Sequence, residues 1–281
     1  MCGIVATYGG DPELADCMAE RLNHRGPDGK GTVTIGNVTL SHRRLAIIDP
    51  ACGHQPLFNE EGSVAVIANG EIYNHRRMRR MLEGRHQFRT RSDSEVLVHL
   101  YEEQDADMVN ALDGMFAFVL TDGDRLLVAR DPIGIKPIYC GIRREKGRRI
   151  LMFASEMKAL TSEADTIYEL PPGSYYDTEK GLHRYYQVPN TIPRHEPVER
   201  IIRQLRGTLE QAVVKRLMSD VPLGVFLSGG VDSSIIAALA RRHMSELHTF
   251  SVGIEGSPDL EAARFIAKHI ESVHHEYVFT V

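Results

Sequence analysis

Cysteine is scarce in this sequence, and its placement argues against two kinds of stabilising site. The 281 residues contain four cysteines, Cys2, Cys17, Cys52 and Cys140, with no C-x-x-C pair and no histidine at matching spacing. Such scatter argues against a disulfide framework and against a zinc site. We therefore expect reduced thiols.

The sequence also has no long apolar run and no strong excess of one charge. No segment approaches the roughly 18 apolar residues of a membrane helix, and the N-terminus lacks the pattern of a signal peptide. The net charge is -5, and the 25% of charged residues are of both signs and interspersed. These features predict a cytoplasmic protein without a nucleic-acid or membrane surface.

Short apolar segments separated by Gly, Asp and Asn dominate the first of two predicted domains, residues 1–186. Such segments, rich in Val, Ile, Leu and Phe, are typical of strands. The predicted strands are 4–8, 33–35, 45–48, 64–68, 116–121, 126–129 and 151–154, and the predicted helices are 12–22, 75–82 and 94–104. The domain is therefore expected to be rich in sheet.

The start of the third helix carries an S-x-x-E pattern, Ser92-Asp93-Ser94-Glu95. This pattern predicts a capping box, with Asp93 in the first helical turn. Because the helix dipole favours negative charge there, we expect Asp93 to stay ionised.

Residues 187–197 are rich in Pro, Asn and Thr and have no periodicity, which predicts a linker before a second domain at 198–281. Helical spacing over 201–217 is followed by predicted strands at 223–227, 247–252 and 277–281, with helices from 234 and over 260–270. This alternation predicts a parallel sheet covered by helices. About 80 residues are few for such a domain, so we expect the front part of a longer protein or a natural truncation.

Cys2 directly follows Met1, so removal of Met1 would place a thiol and a free α-amine on one residue. An amine with a pKa of about 8 can then act as base for the thiol beside it. Alone, a cysteine at position 2 is ordinarily just a small residue near a chain end.

Several motifs together carry a resemblance to a known family. In the N-terminal part they are Cys2-Gly3-Ile4, His24-Arg25-Gly26-Pro27-Asp28, Arg44-Leu45-Ala46-Ile47-Ile48-Asp49, Asn69-Gly70-Glu71-Ile72-Tyr73-Asn74, Ser92-Asp93-Ser94-Glu95, Arg130-Asp131-Pro132-Ile133-Gly134-Ile135-Lys136-Pro137 and Ala154-Ser155-Glu156-Met157-Lys158. Their order resembles the class II glutamine amidotransferase domain of glutamine-hydrolysing asparagine synthetases, the B type. Ser228-Gly229-Gly230-Val231-Asp232-Ser233 resembles the pyrophosphate loop of the synthetase domain in those enzymes.

The resemblance implies an α+β N-terminal domain, a four-layer αββα N-terminal-nucleophile hydrolase, followed by the start of an α/β parallel-sheet ATP-pyrophosphatase domain. Cys2 would attack the side-chain amide of glutamine, and Asn69 with the Gly70 N–H would stabilise the oxyanion. Arg44 would bind the α-carboxylate and Asp93 the α-ammonium. The remaining implied pocket residues are Glu71, Ile47 and Ile48.

In the second domain the resemblance implies an ATP site. Its residues would be Leu227, Ser228, Gly229, Gly230, Asp232, Ser233 and Val252, with Asp232 also serving Mg²⁺, which prefers oxygen ligands and phosphates. Ammonia would pass to a β-aspartyl-AMP made from aspartate and ATP, which makes the family a ligase of asparagine biosynthesis. No cofactor is expected in the glutaminase domain, and a homodimer is one option for the oligomeric state.

Several alternatives stay open from the sequence. The chain could supply ammonia to a different carboxylate acceptor, or it could be a non-catalytic regulatory protein that keeps the fold. In isolation, Asn69-Gly70 is typical of a tight hairpin turn. His24 is expected to be structural, in a loop that shapes the pocket, and Arg91 stands where many relatives have a small residue.

Overall fold

The computed structural model describes residues 1–193 and 195–280. They form two compact units, Met1–Asn190 and Thr191–Val281. Val281, the last residue of the second unit, is not among the described residues. The division falls inside the predicted linker at 187–197, while the domain assignment itself stays a prediction.

Two antiparallel six-stranded sheets form the body of the first unit. The first sheet has the order β10-β8-β9-β1-β3-β2 and the second β12-β11-β7-β6-β5-β4. In chain order the strands are β1 (Gly3–Tyr8), β2 (Gly29–Ile35), β3 (Val38–Arg44), β4 (Leu57–Phe58), β5 (Ala65–Ile72), β6 (Gly114–Thr121), β7 (Leu126–Arg130), β8 (Tyr139–Glu145), β9 (Arg148–Ala154), β10 (Thr166–Glu169), β11 (Ser174–Asp177) and β12 (Gly181–Arg184).

Three helices accompany these sheets: α1 (Pro12–Glu20), α2 (His75–Leu82) and α3 (Val96–Gln104). Short 3-10 turns lie at Asp93–Glu95, Asp105–Ala111 and Met157–Ala159. Pro12 opens α1 at a position where its missing N–H costs no helical hydrogen bond.

The alternation of side chains along each strand sorts the apolar residues into layers. Ile4 and Ala6 on β1 pack with Ala65 and Ile67 on β5, so the two sheets face each other across one core. Their neighbour Val5 points the other way, into a cluster with α1 residues. The order of layers is therefore helix, sheet, sheet, helix.

The outer face of the second sheet is covered by α2 and α3. Val66 and Phe118 on that face join a buried cluster with Met78 of α2 and Leu97 of α3. The expected four-layer αββα arrangement is thus confirmed for the first unit.

The second unit contains a parallel sheet in the order β13-β14-β15. Its strands are β13 (Gly224–Phe226), β14 (His248–Ile254) and β15 (Val273–Phe279), and its helices are α4 (Val198–Arg216), α5 (Val231–His243) and α6 (Pro258–His269). The predicted βαβαβ alternation is confirmed. The last strand begins four residues before its predicted start, and the final residue of the predicted range, Val281, lies outside the described residues.

The predicted strand at 45–48 is wrong. Strand β3 ends at Arg44, and residues 45–47 have no regular structure. The Arg44 guanidinium donates to the carbonyls of Ile48, Asp49 and Pro50, at 3.3, 2.6 and 3.0 Å, which bends the chain back. Apolar content alone predicted a strand where side-chain hydrogen bonds shape a loop.

The predicted capping box is also wrong in its bonding. The Ser92 hydroxyl accepts from the Ser94 N–H at 3.3 Å, whereas the Glu95 carboxylate accepts from the backbone N–H groups of Arg89 and Thr90. In a capping box the Glu95 carboxylate would accept from the Ser92 N–H. Here it accepts from the N–H groups of the preceding segment instead. Asp93 does lie in the first turn, which is a 3-10 turn ahead of α3.

Large apolar side chains are unevenly buried in the two units. Phe116, Phe118 and Phe153 of the first unit are fully buried, whereas Phe226 and Phe265 of the second are 82% and 72% exposed. None of the helices in the described residues is both long and apolar enough to cross a membrane.

Replacing Gly70 tests how closely β5 and β6 pair. A methyl group at Gly70 would lie 2.1 Å from the Met115 carbonyl oxygen and 2.6 Å from the Phe116 Cα. Because these are backbone atoms of a central strand, we expect Gly70→Ala to lower the free energy of unfolding by about 2 kcal/mol or more. Urea unfolding measures this change.

The matched control for Gly70→Ala is Gly84→Ala, since a methyl group at Gly84 meets nothing within 4 Å. Its midpoint should stay close to that of the parent. Equal midpoints for both variants would contradict the close pairing of β5 with β6.

Candidate functional site

Cys2 immediately precedes β1 in the first sheet, and its side chain opens into a pocket. The thiol contacts the main chain of Leu45, with Sγ 3.4 Å from the nitrogen and 3.6 Å from the oxygen. The backbone carbonyl of Cys2 accepts from Arg25 Nε at 2.9 Å. Burial raises the pKa of the Cys2 thiol, so the thiolate needs a nearby base to form.

The residues 24–28 act as a support for this end of β1. Arg25 also pairs with Glu156, at 2.8 Å between Nη1 and Oε1, and His24 Nε2 lies 3.0 Å from the same oxygen. A methyl group at Gly26 would lie 2.2 Å from the Arg43 carbonyl oxygen, so this loop presses against the end of β3. These contacts support the end of β1 that carries Cys2, while a role of the loop in shaping the pocket stays a prediction.

Asn69 and Gly70 lie within strand β5, not in a hairpin turn. The Asn69 side chain is 1% exposed, and its Nδ2 has no hydrogen-bond partner among the described residues. A buried donor without a partner costs free energy unless a ligand completes it. The amide is therefore available for an acceptor in the pocket.

The N–H of Gly70 faces the same pocket, by the alternation of strand β5. Ala68 N–H donates to Gln55 Oε1 at 2.6 Å, and Ile72 N–H donates to Asp93 Oδ2 at 2.6 Å. Gly70 lies between these two residues, so its N–H points to the same edge of the strand, away from β6. The pocket thus has two donors close together in the chain.

Two carboxylates, those of Glu71 and Asp93, lie in the pocket. Burial raises the pKa of Glu71 well above its ordinary value, and the charge of Asp93 adds to this. Burial also raises the pKa of Asp93, against hydrogen bonds from Ile72 and Ser94 that lower it. Burial therefore outweighs the hydrogen bonds and raises the pKa of Asp93 to about 6, so the carboxyl stays mainly ionised at neutral pH but less firmly than an ordinary aspartate.

Lys136 is a pocket residue that the sequence did not single out. It is 7% exposed, and it lines the pocket together with Cys2 and Glu71. Burial lowers the pKa of its ammonium, while the charges of Glu71 and Cys2 raise it. The sequence signal for Lys136 was its place in the Arg130-to-Pro137 motif. In the structure, Asp131 of that motif accepts from the Lys136 N–H at 2.9 Å and so fixes the backbone that carries Lys136.

Arg44 lines the pocket but does not offer an open guanidinium. Three of its five N–H groups donate to the carbonyls of residues 48–50. A bidentate pairing with a carboxylate, as expected from the resemblance, would have to replace some of these bonds. The side chain of Arg91 is exposed, and its N–H donates to Asp49 Oδ2 at 2.8 Å, so it borders this loop from outside.

All eight residues predicted for this site line one pocket: Cys2, Arg44, Ile47, Ile48, Asn69, Gly70, Glu71 and Asp93. They come from the residue before β1, the end of β3 and the loop after it, the end of β5 and the turn before α3. A thiol, two convergent donors and two carboxylates could together cleave an amide whose substrate carries a cation.

A second candidate site lies between β13 and α5 in the second unit. Gly229 has φ +78, and a methyl group there would lie 2.5 Å from the Ala262 Cβ on α6. The Ser228 and Ser233 hydroxyls are 2.9 Å apart, and Ser228 Oγ accepts from the Gly230 N–H at 3.4 Å. The loop is thus a tight turn into the N-terminus of α5.

The predicted residues of this second site are partly brought together. Leu227, Ser228, Ser233 and Val252 line one cavity of about 290 Å³, beside Asp259, which was not among the predicted site residues. Gly229 and Gly230 complete the turn, and Asp232 is exposed in the first turn of α5. A glycine-rich turn at a helix N-terminus suits a phosphate.

Comparisons with known proteins agree with both units. The glutamine amidotransferase domain family matches residues 1–216, and the asparagine synthase family matches residues 204–281. The chain is 47% identical to asparagine synthetase [glutamine-hydrolyzing] 2 of Arabidopsis thaliana and 46% identical to the enzyme of that name from Asparagus officinalis, each over 100% of this chain. It covers 51% and 50% of those proteins, so it spans about half their length.

Solved structures show the likeness in fold. A glutamine phosphoribosylpyrophosphate amidotransferase from B. subtilis matches with a TM-score of 0.57 at 20% identity, over 98% of this chain and 65% of that one. The allosteric regulatory enzyme of purine biosynthesis matches with a TM-score of 0.59 at 18% identity, over 99% of this chain and 80% of that one. At these identities the match speaks for the fold alone.

Glu71 and Asp93 are buried close to each other, and their negative charges repel. Removing the charge of Glu71 should therefore stabilise the folded protein. Since the folded pKa of Glu71 is raised, the unfolded chain loses this proton first, and stability falls as pH rises through that interval. We expect Glu71→Gln to melt at a higher temperature than the parent, with a difference that grows from about pH 5 to pH 8. Thermal unfolding across this range measures it.

Glu169→Gln is the control, because Glu169 is an exposed acid that pairs with Arg130 outside the pocket. Its melting temperature relative to the parent should not rise with pH. A Glu71→Gln variant that is no more stable than the parent at pH 8 would contradict the raised pKa.

Proposed function

Because the chain belongs to the glutamine amidotransferase family, and is similar along its length to glutamine-hydrolysing asparagine synthetases, we propose that its first unit hydrolyses glutamine with Cys2. The observation that carries this proposal is the buried Asn69 amide, which has a free N–H donor in the same pocket as the Cys2 thiol. A thiol beside an unused donor pair suits acyl transfer.

The proposed reaction begins when Met1 is removed. The α-amine of Cys2 takes the thiol proton, and the thiolate attacks the side-chain carbonyl carbon of glutamine. The oxyanion accepts hydrogen bonds from Asn69 Nδ2 and the Gly70 N–H. The C–N bond then breaks, and the α-ammonium returns a proton to the leaving nitrogen, which departs as ammonia. Water hydrolyses the γ-glutamyl thioester to glutamate and restores the thiol.

Burial of the chain end supports an amine base in this place. Burial lowers the pKa of the Met1 α-ammonium, and this effect outweighs the charge of Cys2, which raises it, while the charges of Arg25 and Lys136 lower it further. An amine at Cys2 would lie one residue deeper in the same surroundings. A neutral amine near neutral pH is the form that can accept the thiol proton.

Recognition of free glutamine would use the charges around the pocket. Glu71 and Asp93 would take the α-ammonium, whose charge relieves the repulsion between them. Arg44 would take the α-carboxylate by exchanging part of its contacts with residues 48–50, and Ile47 and Ile48 would pack along the aliphatic stem. Binding of the cation should therefore release protons from the two carboxyls.

For the second unit we propose an ATP site at the Ser228–Ser233 turn. The turn N–H groups and the N-terminus of α5 would hold the pyrophosphate, and Asp232 would serve Mg²⁺. Leu227 and Val252 would flank the adenosine. In the whole protein, ATP would activate aspartate as β-aspartyl-AMP, and ammonia from the Cys2 site would convert it to asparagine. The intact pocket speaks against a non-catalytic role.

Cys2→Ala should abolish glutamate release from glutamine without changing the melting temperature by more than about 2 °C, because it removes the nucleophile from a small, half-buried position. Mass analysis of the intact active protein should show that Met1 is absent. A coupled glutamate assay reads the activity. Full activity in protein that retains Met1 would rule out the amine as base.

Two further variants sharpen this test. Cys17 is exposed on α1, so Cys17→Ala should keep full activity. Asn69→Ala keeps the thiol and should lower kcat by about a hundredfold or more. Unchanged kcat in folded Asn69→Ala protein would remove Asn69 from the oxyanion hole.

Asp232→Ala should weaken Mg-ATP binding to the full chain by about tenfold or more, because it removes the proposed metal contact. Isothermal titration of the chain with ATP and Mg²⁺ measures the affinity. Glu255→Ala, which removes an exposed acid after β14, should bind like the parent. Equal affinities of Asp232→Ala and parent would refute the assignment of Asp232.

A further inference from the structure

A cluster of two histidines and two glutamates lies in the first unit, outside the Cys2 pocket. Glu60 is in the turn between β4 and β5, and His86 is in the segment between α2 and α3. His99 and Glu102 are one turn apart on α3. Three separate segments thus bring four potential metal ligands together.

The spacing of the four side chains fits a tetrahedral metal ion. His86 Nδ1 is 3.3 Å from Glu60 Oε1 and 3.6 Å from Glu102 Oε2, and His99 Nδ1 is 3.5 Å from Glu60 Oε2 and 3.7 Å from Glu102 Oε2. Ligands at the 2.0–2.2 Å typical of zinc in a tetrahedron are about 3.3–3.6 Å apart. One candidate ligand atom from each side chain lies within 4.8 Å of the other three, so metal binding would shorten some of these separations by up to about 1 Å.

His99 is the strongest sign that this cluster binds a ligand. Its side chain is fully buried, yet neither ring nitrogen has a hydrogen-bond partner among the described residues. A buried imidazole without hydrogen bonds is costly unless something completes it. Its Nδ1 points to the carboxylates of Glu60 and Glu102, where an ion would sit.

Neighbouring groups hold three of the four side chains. His86 Nε2 lies 3.1 Å from Glu103 Oε1, and Glu60 Oε1 accepts from the Gln87 N–H at 2.6 Å. Glu102 Oε1 accepts from the buried Asn59 amide at 2.8 Å. A carboxylate behind a metal-binding histidine and donors behind the ligating carboxylates are the usual supports of such sites.

The distribution of charge around the cluster favours binding of a divalent cation. The outer carboxylates have cations of their own, since Arg85 pairs with Glu103 and Arg79 lies 3.7 Å from Glu95. In the described part of the chain, no lysine or arginine nitrogen is within 4.0 Å of the Glu60 or Glu102 carboxylate. One divalent cation would balance these two charges.

We propose that Glu60, His86, His99 and Glu102 bind a zinc ion. Two imidazoles and two carboxylates suit zinc better than magnesium or calcium, which prefer oxygen ligands. The carboxylates of Glu60 and Glu102 are 27% and 26% exposed, which leaves a path from solvent. The scattered cysteines spoke against zinc, but this site uses none of them.

The ion would join the β4–β5 turn and the 86–92 segment to α3. This segment leads directly to Ser92 and Asp93 at the Cys2 pocket, and Glu95 already holds its Arg89 and Thr90 N–H groups. The site is structural, and it does not depend on the proposed glutaminase activity.

Zinc titration of the full chain tests this proposal. The chain carries Cys2→Ala, which removes the pocket thiol as a competing ligand, and is freed of metal by chelation. Isothermal titration with zinc should give one site per chain, and cobalt should give the intense visible absorption of tetrahedral coordination. Zinc should also raise the melting temperature, because it binds the folded state.

The same chain with His86→Gln or Glu102→Gln should bind zinc at least about tenfold more weakly and lose the cobalt absorption. His99 is left unchanged, because its full burial makes misfolding a risk. His183→Gln, an exposed histidine on β12, is the matched control and should bind like the parent chain. Circular dichroism checks that each variant is folded.

Two results would overturn the proposal. One is the absence of stoichiometric zinc binding, which would leave the cluster as a network of ion pairs. The other is equal zinc affinity in the parent chain, His86→Gln and Glu102→Gln, which would place the bound ion elsewhere.

Discussion

The stacking of two antiparallel sheets across one core is the constraint on which the Cys2 pocket depends. Ile4 and Ala6 of β1 pack with Ala65 and Ile67 of β5, so these two strands face each other across the core, and Cys2 and Asn69 line one pocket. This packing brings the Cys2 thiol to the Asn69 amide although 67 residues separate them in the chain. A change in the register of either strand by one residue would turn these side chains to the other face.

The Cys2 pocket contains charged and polar groups whose burial costs free energy. Two carboxylates, an ammonium at Lys136 and an amide without a partner are all shielded from water there. Such arrangements persist where the surrounding fold over-determines them, and they are concentrated at sites of binding and catalysis. The cluster of Glu60, His86, His99 and Glu102 has the same property, because the buried ring nitrogens of His99 have no hydrogen-bond partner among the described residues. A bound ligand would supply one.

The sequence predicted the Cys2 pocket better than the local structures that form it. The motif resemblance named eight residues that line one pocket, but the strand at 45–48 and the capping box at 92–95 are wrong. Both errors come from side chains that bind distant backbone: Arg44 holds the loop after β3, and Glu95 holds residues 89–90. Patterns of neighbouring residues do not reveal such bonds.

Apolar periodicity in the sequence by itself determined the strand-rich first unit and the alternation of the second, because periodicity is local. The four-layer fold and the eight residues that line the pocket followed from the resemblance of its ordered motifs to a known family. Only the tertiary structure decided that Asn69-Gly70 lies in a strand, that burial raises the pKa of Asp93, and that Lys136 joins the pocket. It alone brought Glu60, His86 and His99 together, because contact between distant segments depends on how sheets and helices pack.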